Sequence, residues 1–470
     1  MGFKSLFVRP YANYIAKKIK KWSETPIASQ EFILRELVQK AEKTAFGKDH
    51  RFIEIQNYED FKQRVPIRDY EELRPYVDRV VNGEPDILWP GRPTYFAKTS
   101  GTTSGVKYIP LTKDSLPNHF ETARNATFNF AAHTGDYRFL NGKIIFLSGS
   151  PEMEETNGIP TGRLSGIVNH QVPAWLKGNQ KPSYMTNCIE DWEEKVERIV
   201  DETIDADMTL ISGIPPWVQM YYERLLQRSG KKSILELFPN LCLFVFGGVN
   251  MEPYRSRLEQ LTGGRVNSIE LYPASEGFIA FQDKPQHEGL LLNTHSGIFF
   301  EFIPANEFFN EGPTRISLKD VNVGIDYVII INNNAGLWGY NIGDTVQFLS
   351  VKPYRLRVTG RIKHFISAFG EHVIGKEVDD SVMTAAREHN LEIVEFTVAP
   401  QVNPESGPPY HEWFIEFEKQ PNLLEQFASR LDELMREQNI YYDDLISGKI
   451  LCPLKITSLQ KGAFINYMKS

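Results

Sequence analysis

The sequence predicts an α/β protein with a large N-terminal region, residues 1–359, and a small C-terminal α+β domain, residues 360–470. Three observations carry this expectation. Strand-like and helix-like runs alternate between residues 143 and 272, as they do in parallel sheets. From about residue 290 strand-like runs follow one another: 298-IFFEFIP-304, 326-DYVIIIN-332, 345-TVQFLS-350 and 355-RLRVTG-360. They predict an antiparallel sheet or a barrel. Beyond Gly360 a helix pattern, two strand patterns and a second amphipathic helix are mixed.

The elements follow in chain order. The basic run Lys17, Lys18, Lys20 and Lys21 reads as the solvated face of a first helix whose Tyr14, Ile15 and Ile19 turn inward. Residues 28–46 form a helix, with Phe32, Ile33, Leu37, Val38 and Ala41 at helical spacing. Residues 58–80 carry two amphipathic pieces broken at Pro66 and Pro75. Then come a strand at 143–148, a helix at 192–204, a strand at 209–212 and a helix at 218–227. A strand at 241–246 ends in Gly247-Gly248, a helix at 252–261 is closed by Gly263-Gly264, and a strand follows at 266–272. In the small domain a helix at 377–388 precedes strands at 394–400 and 411–418. A helix at 422–438 has Asn422 as N-cap and Leu423, Phe427, Leu431 and Leu434 on one face.

The 470 residues are 41% hydrophobic and 24% charged, an ordinary balance for a globular protein. A formal net charge of −8 argues against a general nucleic-acid binder but leaves room for a local basic pocket. The three cysteines, Cys188, Cys242 and Cys452, have no metal-site spacing and suggest no disulfide framework. Buried thiols in a reducing cytoplasm are the expectation. No run approaches a membrane span. The start, MGFKSLFVRP, lacks a cleavable signal, and Leu6 stands where a myristoylation signal needs Ser or Thr.

Four stretches carry candidate chemistry. In 97-AKTSGTTSGVKYIPLT-112 the glycines and Lys107 lack the Walker spacing. Gly101 and Gly105 still let backbone N–H groups approach an anion, and Ser100, Thr102, Thr103 and Ser104 add hydroxyls. The stretch is either a phosphate cradle or a mobile hairpin loop. In 270-ELYPASEGFIA-280 a turn presents Ser275 and Glu276 where α/β sheets place ligands, and a carboxylate there suits Mg²⁺. The other reading is a solvated loop glutamate. In 338-WGYNIGDTVQF-348 Asp344 suits a pair of ribose hydroxyls, or is ordinary Gly-Asp turn chemistry. In 358-VTGRIKHFISAFGE-371 Arg361 suits phosphate or ribose, or belongs to a charged linker. The apolar stretch 211-ISGIPPWVQMYY-222 is a candidate wall for an apolar substrate, or helix core.

Taken in order, the Ser/Thr/Gly loop, Tyr-x-x-Ser-Glu, Tyr-x-x-Gly-Asp and Gly-Arg-x-Lys resemble the adenylate-forming superfamily of acyl-CoA synthetases, adenylation domains and beetle luciferases. The chain is most similar to the Gretchen-Hagen (auxin-responsive) acyl-acid amido synthetase family, and within it to the bacterial branch. The lead-in at 57–88 is also similar to that family's. The resemblance implies an ATP- and Mg²⁺-dependent ligase that adenylates a small carboxylic acid and passes the acyl group to an amino acid or similar amine. An acyl-CoA ligase and a non-catalytic relative are the alternatives.

The resemblance also implies roles. Thr99, Ser100, Gly101, Thr102, Thr103 and Ser104 would cradle phosphates, with Ser100, Thr103, Lys107 and Glu276 serving catalysis. Glu276 would ligate Mg²⁺, while Tyr272 and Ser275 line the nucleotide pocket. Gly247, Gly248 and Val249 would lie against adenine. Asp344 would hold the ribose, assisted by Arg361, and Lys363 falls at the hinge of a mobile small domain. His372 falls where plant members carry a lysine. Thr99 replaces the first serine of the plant loop, with one residue fewer before Lys107. The family's closing segment carries a lysine that reaches the α-phosphate. Neither Lys461 nor Lys469 falls in its register, and without such a lysine adenylation would be crippled. A cytoplasmic monomer or weak dimer is expected.

Overall fold

The computed structural model describes residues 3–102, 105–170, 177–249, 251–285, 287–308, 310–362, 365–366, 368–371 and 373–469. Its centre is one mixed sheet of twelve strands among the described residues. Gln180–Lys181, Lys143–Phe146, Met208–Ser212, Leu243–Gly247 and Asn267–Ala274 run parallel. A two-residue turn then reverses the chain into Gly277–Phe281. From there the sheet continues antiparallel through Leu290–Leu292, Tyr354–Arg361, Tyr340–Val351, Asp326–Asn333 and Ile298–Pro304 to Ile316–Ser317. Of the two forms expected after residue 290, the structure takes the sheet, and that sheet is continuous with the parallel strands. Ile329, Ile330 and Ile331 are all buried, because both faces of this half are covered.

A second sheet of four strands stands beside the first. The hairpin of Tyr95–Thr102 and Gly105–Leu111 is flanked by Ile159–Gly162, which runs parallel to the first arm, and then by Glu154–Thr156. The small domain has its own sheet, with Tyr410–Phe417 between Ile393–Gln401 and Lys455–Leu459. Helices Gly375–Glu388 and Leu424–Gln438 pack on it through Val382, Ala385, Phe427, Leu431 and Met435. This core runs into that of the 143–262 region without a break.

Several local expectations are corrected. In the first helix, Phe3–Ser23, the buried stripe is Ala12, Ile15, Ile19 and Trp22, and Tyr14 is exposed. Residue 12 precedes 15 and 19 by whole turns, whereas 14 lies around the far side. Phe32 likewise lies exposed on helix Pro26–Ala41. Pro75 does not end its helix, Tyr70–Val81. A capping box between Asp69 and Glu72 and the buried Tyr70, Leu73, Val77 and Val80 offset its one missing backbone bond. Helix Leu424–Gln438 starts later than expected, so Leu423 takes the cap position and is exposed, and Asn422 does not cap. Of the thiols, Cys242 is buried and Cys188 and Cys452 are half-buried.

Gln30 fixes the N-terminal helices to the sheet. It is buried, its amide nitrogen donates to the carbonyls of Thr294 and Ile298 at 3.1 and 2.8 Å, and its oxygen accepts from the Phe300 N–H at 2.8 Å. Gln30→Leu keeps the bulk but leaves those backbone groups unpaired. It should cost about 2–3 kcal/mol, read as a lower midpoint in urea unfolding. An unchanged midpoint would mean that the helix is held by apolar packing alone.

Candidate functional site

The site is assembled where the two halves of the large sheet meet. Tyr272 is on the last parallel strand, Asn267–Ala274, and Glu276 is in the turn that follows. Asp344 and Arg361 are cross-strand partners on Tyr340–Val351 and Tyr354–Arg361. The Arg361 Nε donates to one Asp344 oxygen at 2.7 Å, and the Tyr272 hydroxyl donates to the other. A second guanidinium nitrogen of Arg361 donates to the Ile342 carbonyl at 2.9 Å. Three chain segments therefore share one buried carboxylate. Gly343 makes room for this arrangement: its φ is +87°, and a Cβ there would lie 3.0 Å from the Arg361 guanidinium.

Lys107 enters from the hairpin. It pairs with Thr99 across the two arms, and its ammonium lies over the Tyr70 ring at 5.6 Å. Tyr70 is held in place because its hydroxyl oxygen accepts from the Tyr108 N–H at 2.9 Å. Burial lowers the Lys107 pKa, and the charge of Glu276 opposes that shift. Burial raises the Glu276 pKa, and Lys107 opposes that shift in turn. The Tyr272 phenol lies well above its usual range, through burial and then the charge of Asp344. A cation, two carboxylates and a guanidinium are thus within electrostatic reach of one another in a water-poor place.

In the stretch read as either a phosphate cradle or a mobile hairpin loop, Tyr95–Thr102 pairs antiparallel with Gly105–Leu111, a pairing that does not choose between the two. Its register is irregular between Thr99 and Thr102, where the tip begins. Thr103 and Ser104 lie outside the described residues, as do the side chains of Ser100 and Thr102. Gly101 continues the first arm. Lys363 and His372 also lie outside the described residues. Gly247 ends its strand so close to the next that a Cβ would meet the Leu271 carbonyl oxygen at 2.2 Å. Gly248 follows with φ +84°, and Val249 is half-buried. Ser275 lies in the same turn as Glu276. The 211–222 stretch is mostly core: Val218, Tyr221 and Tyr222 are buried on helix Pro215–Ser229. Lys461 pairs with Glu418 on the small domain.

Two participants carried no assignment from the sequence. The Tyr340 ring is fully buried within electrostatic reach of Glu276, and its hydroxyl has no hydrogen-bond partner among the described residues. It opens the quoted Tyr-x-x-Gly-Asp motif, so its position was legible and its role was not. Asn333 is buried and donates to the Glu276 carbonyl at 2.7 Å, holding the turn. It ends the strand Asp326–Asn333, whose apolar run read only as core.

Two clefts lie apart from this cluster. A cleft of about 940 Å³ lies between residues 16–28 and 351–355, and one of about 780 Å³ lies beside Lys40, Lys43, Lys48 and Arg79. Neither contains a residue of the cluster. Among the described residues no three His, Cys, Asp or Glu side chains gather as a metal site. No helix is long and apolar enough to cross a membrane, again among the described residues.

Known proteins share this plan. The jasmonoyl–L-amino acid synthetase JAR4 of Nicotiana attenuata is 24% identical over 79% of this chain and 76% of its own. The indole-3-acetic acid-amido synthetase GH3.15 of Arabidopsis thaliana is 23% identical over 87% of this chain and 82% of its own. The solved acyl acid amido synthetase AtGH3.15 in complex with 2,4-DB superimposes with a TM-score of 0.66 at 18% identity, covering 97% of this chain and 91% of that one. A 2-hydroxyisobutyryl-CoA ligase superimposes with a TM-score of 0.61 at 14% identity, covering 94% and 87%. The GH3 family N-terminal domain matches residues 15–178 and 162–267, the central domain 291–361 and the C-terminal domain 376–470. With its three domain models met in order along nearly the whole chain, this protein belongs to the GH3 family.

Proposed function

We propose that the chain is an ATP-dependent acyl-acid amido synthetase. It adenylates a small carboxylic acid and transfers the acyl group to an amino acid or similar amine, releasing pyrophosphate and then AMP. The convergence of Lys107, Glu276 and the Asp344–Arg361 pair supports the reading. The names of the relatives point the same way.

A carboxylate is a poor acyl donor, because an oxide would have to leave. Attack of the acid on the α-phosphorus of ATP, with pyrophosphate leaving, makes AMP the later leaving group. The amine then attacks the acyl carbon and loses a proton as AMP departs. In this reading the hairpin tip donates N–H groups to the phosphates, and Lys107 holds a positive charge beside them. Asp344 keeps a free lone pair on each oxygen for the ribose, since a carboxylate accepts about four hydrogen bonds and two are in use. Gly247, Gly248 and Val249 offer a flat backbone edge to adenine.

The donor set fits Mg²⁺ carried by a nucleotide, which needs only one or two protein carboxylates. Glu276 would hold the ion, with its carbonyl and turn anchored by Asn333. When bound, the ion neutralises phosphate charge. Lys363 and residues near 360–363 would serve as the hinge between the two domains.

An ATP–pyrophosphate exchange assay across phenylacetate, 4-hydroxybenzoate, indole-3-acetate and octanoate, followed by an amine screen for AMP release, tests the reading. Thioester with coenzyme A and no amide would replace it with the ligase reading. No exchange with any acid would remove both. Glu276→Gln should lower exchange about 10²- to 10³-fold. Asp344→Asn should raise the KM for ATP about 10- to 100-fold and abolish discrimination between ATP and 2′-deoxy-ATP.

The pH profile has a definite sign. Glu276 must be ionised to hold a cation, and its pKa is raised, so the acid limb falls at higher pH than for an ordinary glutamate. Lys107 must be protonated, and its pKa is lowered, so the basic limb falls at lower pH than for an ordinary lysine. The optimum is narrowed from both sides. Exchange measured against pH should lose its acid limb in Glu276→Gln and its basic limb in Lys107→Gln.

A further inference from the structure

The basic run of the first helix takes no part in the site described above, and it borders the cleft of about 940 Å³. Helix Phe3–Ser23 contributes Lys17 and Lys20 to the lining. Lys284 comes from the loop after strand Gly277–Phe281, and Lys352 from the turn between Tyr340–Val351 and Tyr354–Arg361. All four are exposed. Lys20 has Glu24 at 3.9 Å, and among the described residues Lys17, Lys284 and Lys352 form no ion pair. The whole chain has a formal net charge of −8, so a rim of positive charge is a local feature. Like charges around one opening repel unless an anion comes between them.

The buried part of the lining is polar. Asp283 and Arg355 are 7% and 8% exposed and form a closed pair, with two guanidinium nitrogens donating to the carboxylate at 2.9 and 2.7 Å. Asn129 is 1% exposed. Its amide nitrogen donates to the Asp283 carbonyl at 2.5 Å, and its side-chain oxygen has no partner among the described residues. The Asp283–Arg355 pair cancels its own charge, so the surplus in the cleft belongs to the lysines. Ile19, Pro26, Ile27, Val351, Pro353 and Tyr354 complete the lining with apolar surface. Asp283 occupies the forked edge of the guanidinium, which is the part that would recognise a planar carboxylate. Ammonium groups from three segments act instead as point charges, and these suit the several oxygens of a phosphate. The apolar surface beside them suits a body joined to that phosphate.

We propose that this cleft is a second ligand site, and that it takes a phosphate monoester carried on an apolar or aromatic body. The proposal does not depend on the amido-synthetase reading. The cleft is separate from the cluster of Lys107, Glu276, Asp344 and Arg361. Arg355 and Arg361 stand near opposite ends of one strand, about 20 Å apart at the usual rise per residue. Asp283 lies beyond the far end of the strand that leaves the Glu276 turn. A ligand in the cleft therefore takes no part in chemistry at that cluster. The lysines hold its phosphate, and the apolar lining covers its body. Because the lysines are exposed, affinity falls as ionic strength rises.

Titration calorimetry on the full chain with naphthyl phosphate tests the proposal, with inorganic phosphate, naphthol and naphthoate as controls for each part. One saturable site is expected, with naphthyl phosphate binding about 10-fold more tightly than any of the other three. The exposed lysines can be replaced without touching the core. The double variant Lys17→Gln/Lys284→Gln should weaken binding about 10-fold and Lys352→Gln about 3-fold, with the thermal unfolding midpoint unchanged. Lys107→Gln should leave binding as it was. Heat that does not saturate overturns the proposal, as does affinity that survives in both cleft variants. Binding lost in Lys107→Gln and kept in the cleft variants assigns the probe to the other site and also overturns it. Inorganic phosphate binding as tightly as the ester, or naphthoate binding as tightly, overturns the ligand class.

Discussion

The site depends on one carboxylate held from two sides. Asp344 is gripped by the Tyr272 hydroxyl from the parallel half of the sheet and by Arg361 from the neighbouring antiparallel strand. Neither half of the sheet makes the site alone. The parallel strands bring Gly247, Tyr272 and Glu276 to their carboxyl ends, where α/β sheets leave room for ligands. The antiparallel strands bring the acid and the base that order them. Replacing the Asp344 carboxylate by an apolar side chain would take this acceptor from both the Arg361 Nε and the half-buried Tyr272 hydroxyl. A donor stripped of its acceptor away from water costs more than a hydrogen bond contributes.

Around that carboxylate the electrostatics are poised rather than satisfied. Glu276 and Lys107 each oppose the shift that burial imposes on the other, and neither shift is cancelled. A structural ion pair would be expected to close on itself, as Arg315 and Glu301 do in the core, with two bonds of 2.6 Å and a further bond from Asn332 to the same carboxylate. Among the described residues neither Glu276 nor Lys107 closes on an ion-pair partner in this way, which is what the proposed binding of a phosphate and a cation would need. The cleft of about 940 Å³ holds a pair of the closed kind as well: Asp283–Arg355 is in its lining, and the other cations there lie at the surface.

Much of this was legible in the sequence because it depends on local chemistry. Strand 298–304 was readable to the residue, since its apolar run is bounded by Gly297 and by Pro304 itself. The order Glu276, Asp344, Arg361 was readable because turn residues announce where a strand presents a side chain. What was not legible depends on distant contacts. Nothing in the run around Pro75 says that a capping box and four buried side chains outweigh a missing backbone bond. Tyr14 and Phe32 read as core because apolar character marks a candidate face and not its final rotation. Arg163 sits among glycines in a stretch with no motif. Its place beside the hairpin follows only from the pairing of Ala97 with Gly162.

The small domain's docking has two physical characters. Its sheet and helices share an apolar core with the 143–262 region, and the Tyr254 hydroxyl donates to the Ala368 carbonyl at 2.5 Å across that seam. Such a contact favours a few discrete orientations over a continuous range, because packed side chains interlock. Near the Tyr95–Thr102 arm of the hairpin the contact is polar instead: the Tyr441 hydroxyl donates to the Lys98 carbonyl, and the Tyr441 ring packs on the Arg163 guanidinium. Polar contacts exchange with water or ligand at little net cost, whereas apolar ones do not. The proposed turning of the small domain between two reaction steps would call for this division. The apolar seam would then serve as the pivot, and the polar contacts at the hairpin would be the ones a substrate replaces. On that proposal the polar side of the interface, not the apolar one, is where substrate binding would bias the orientation of the small domain.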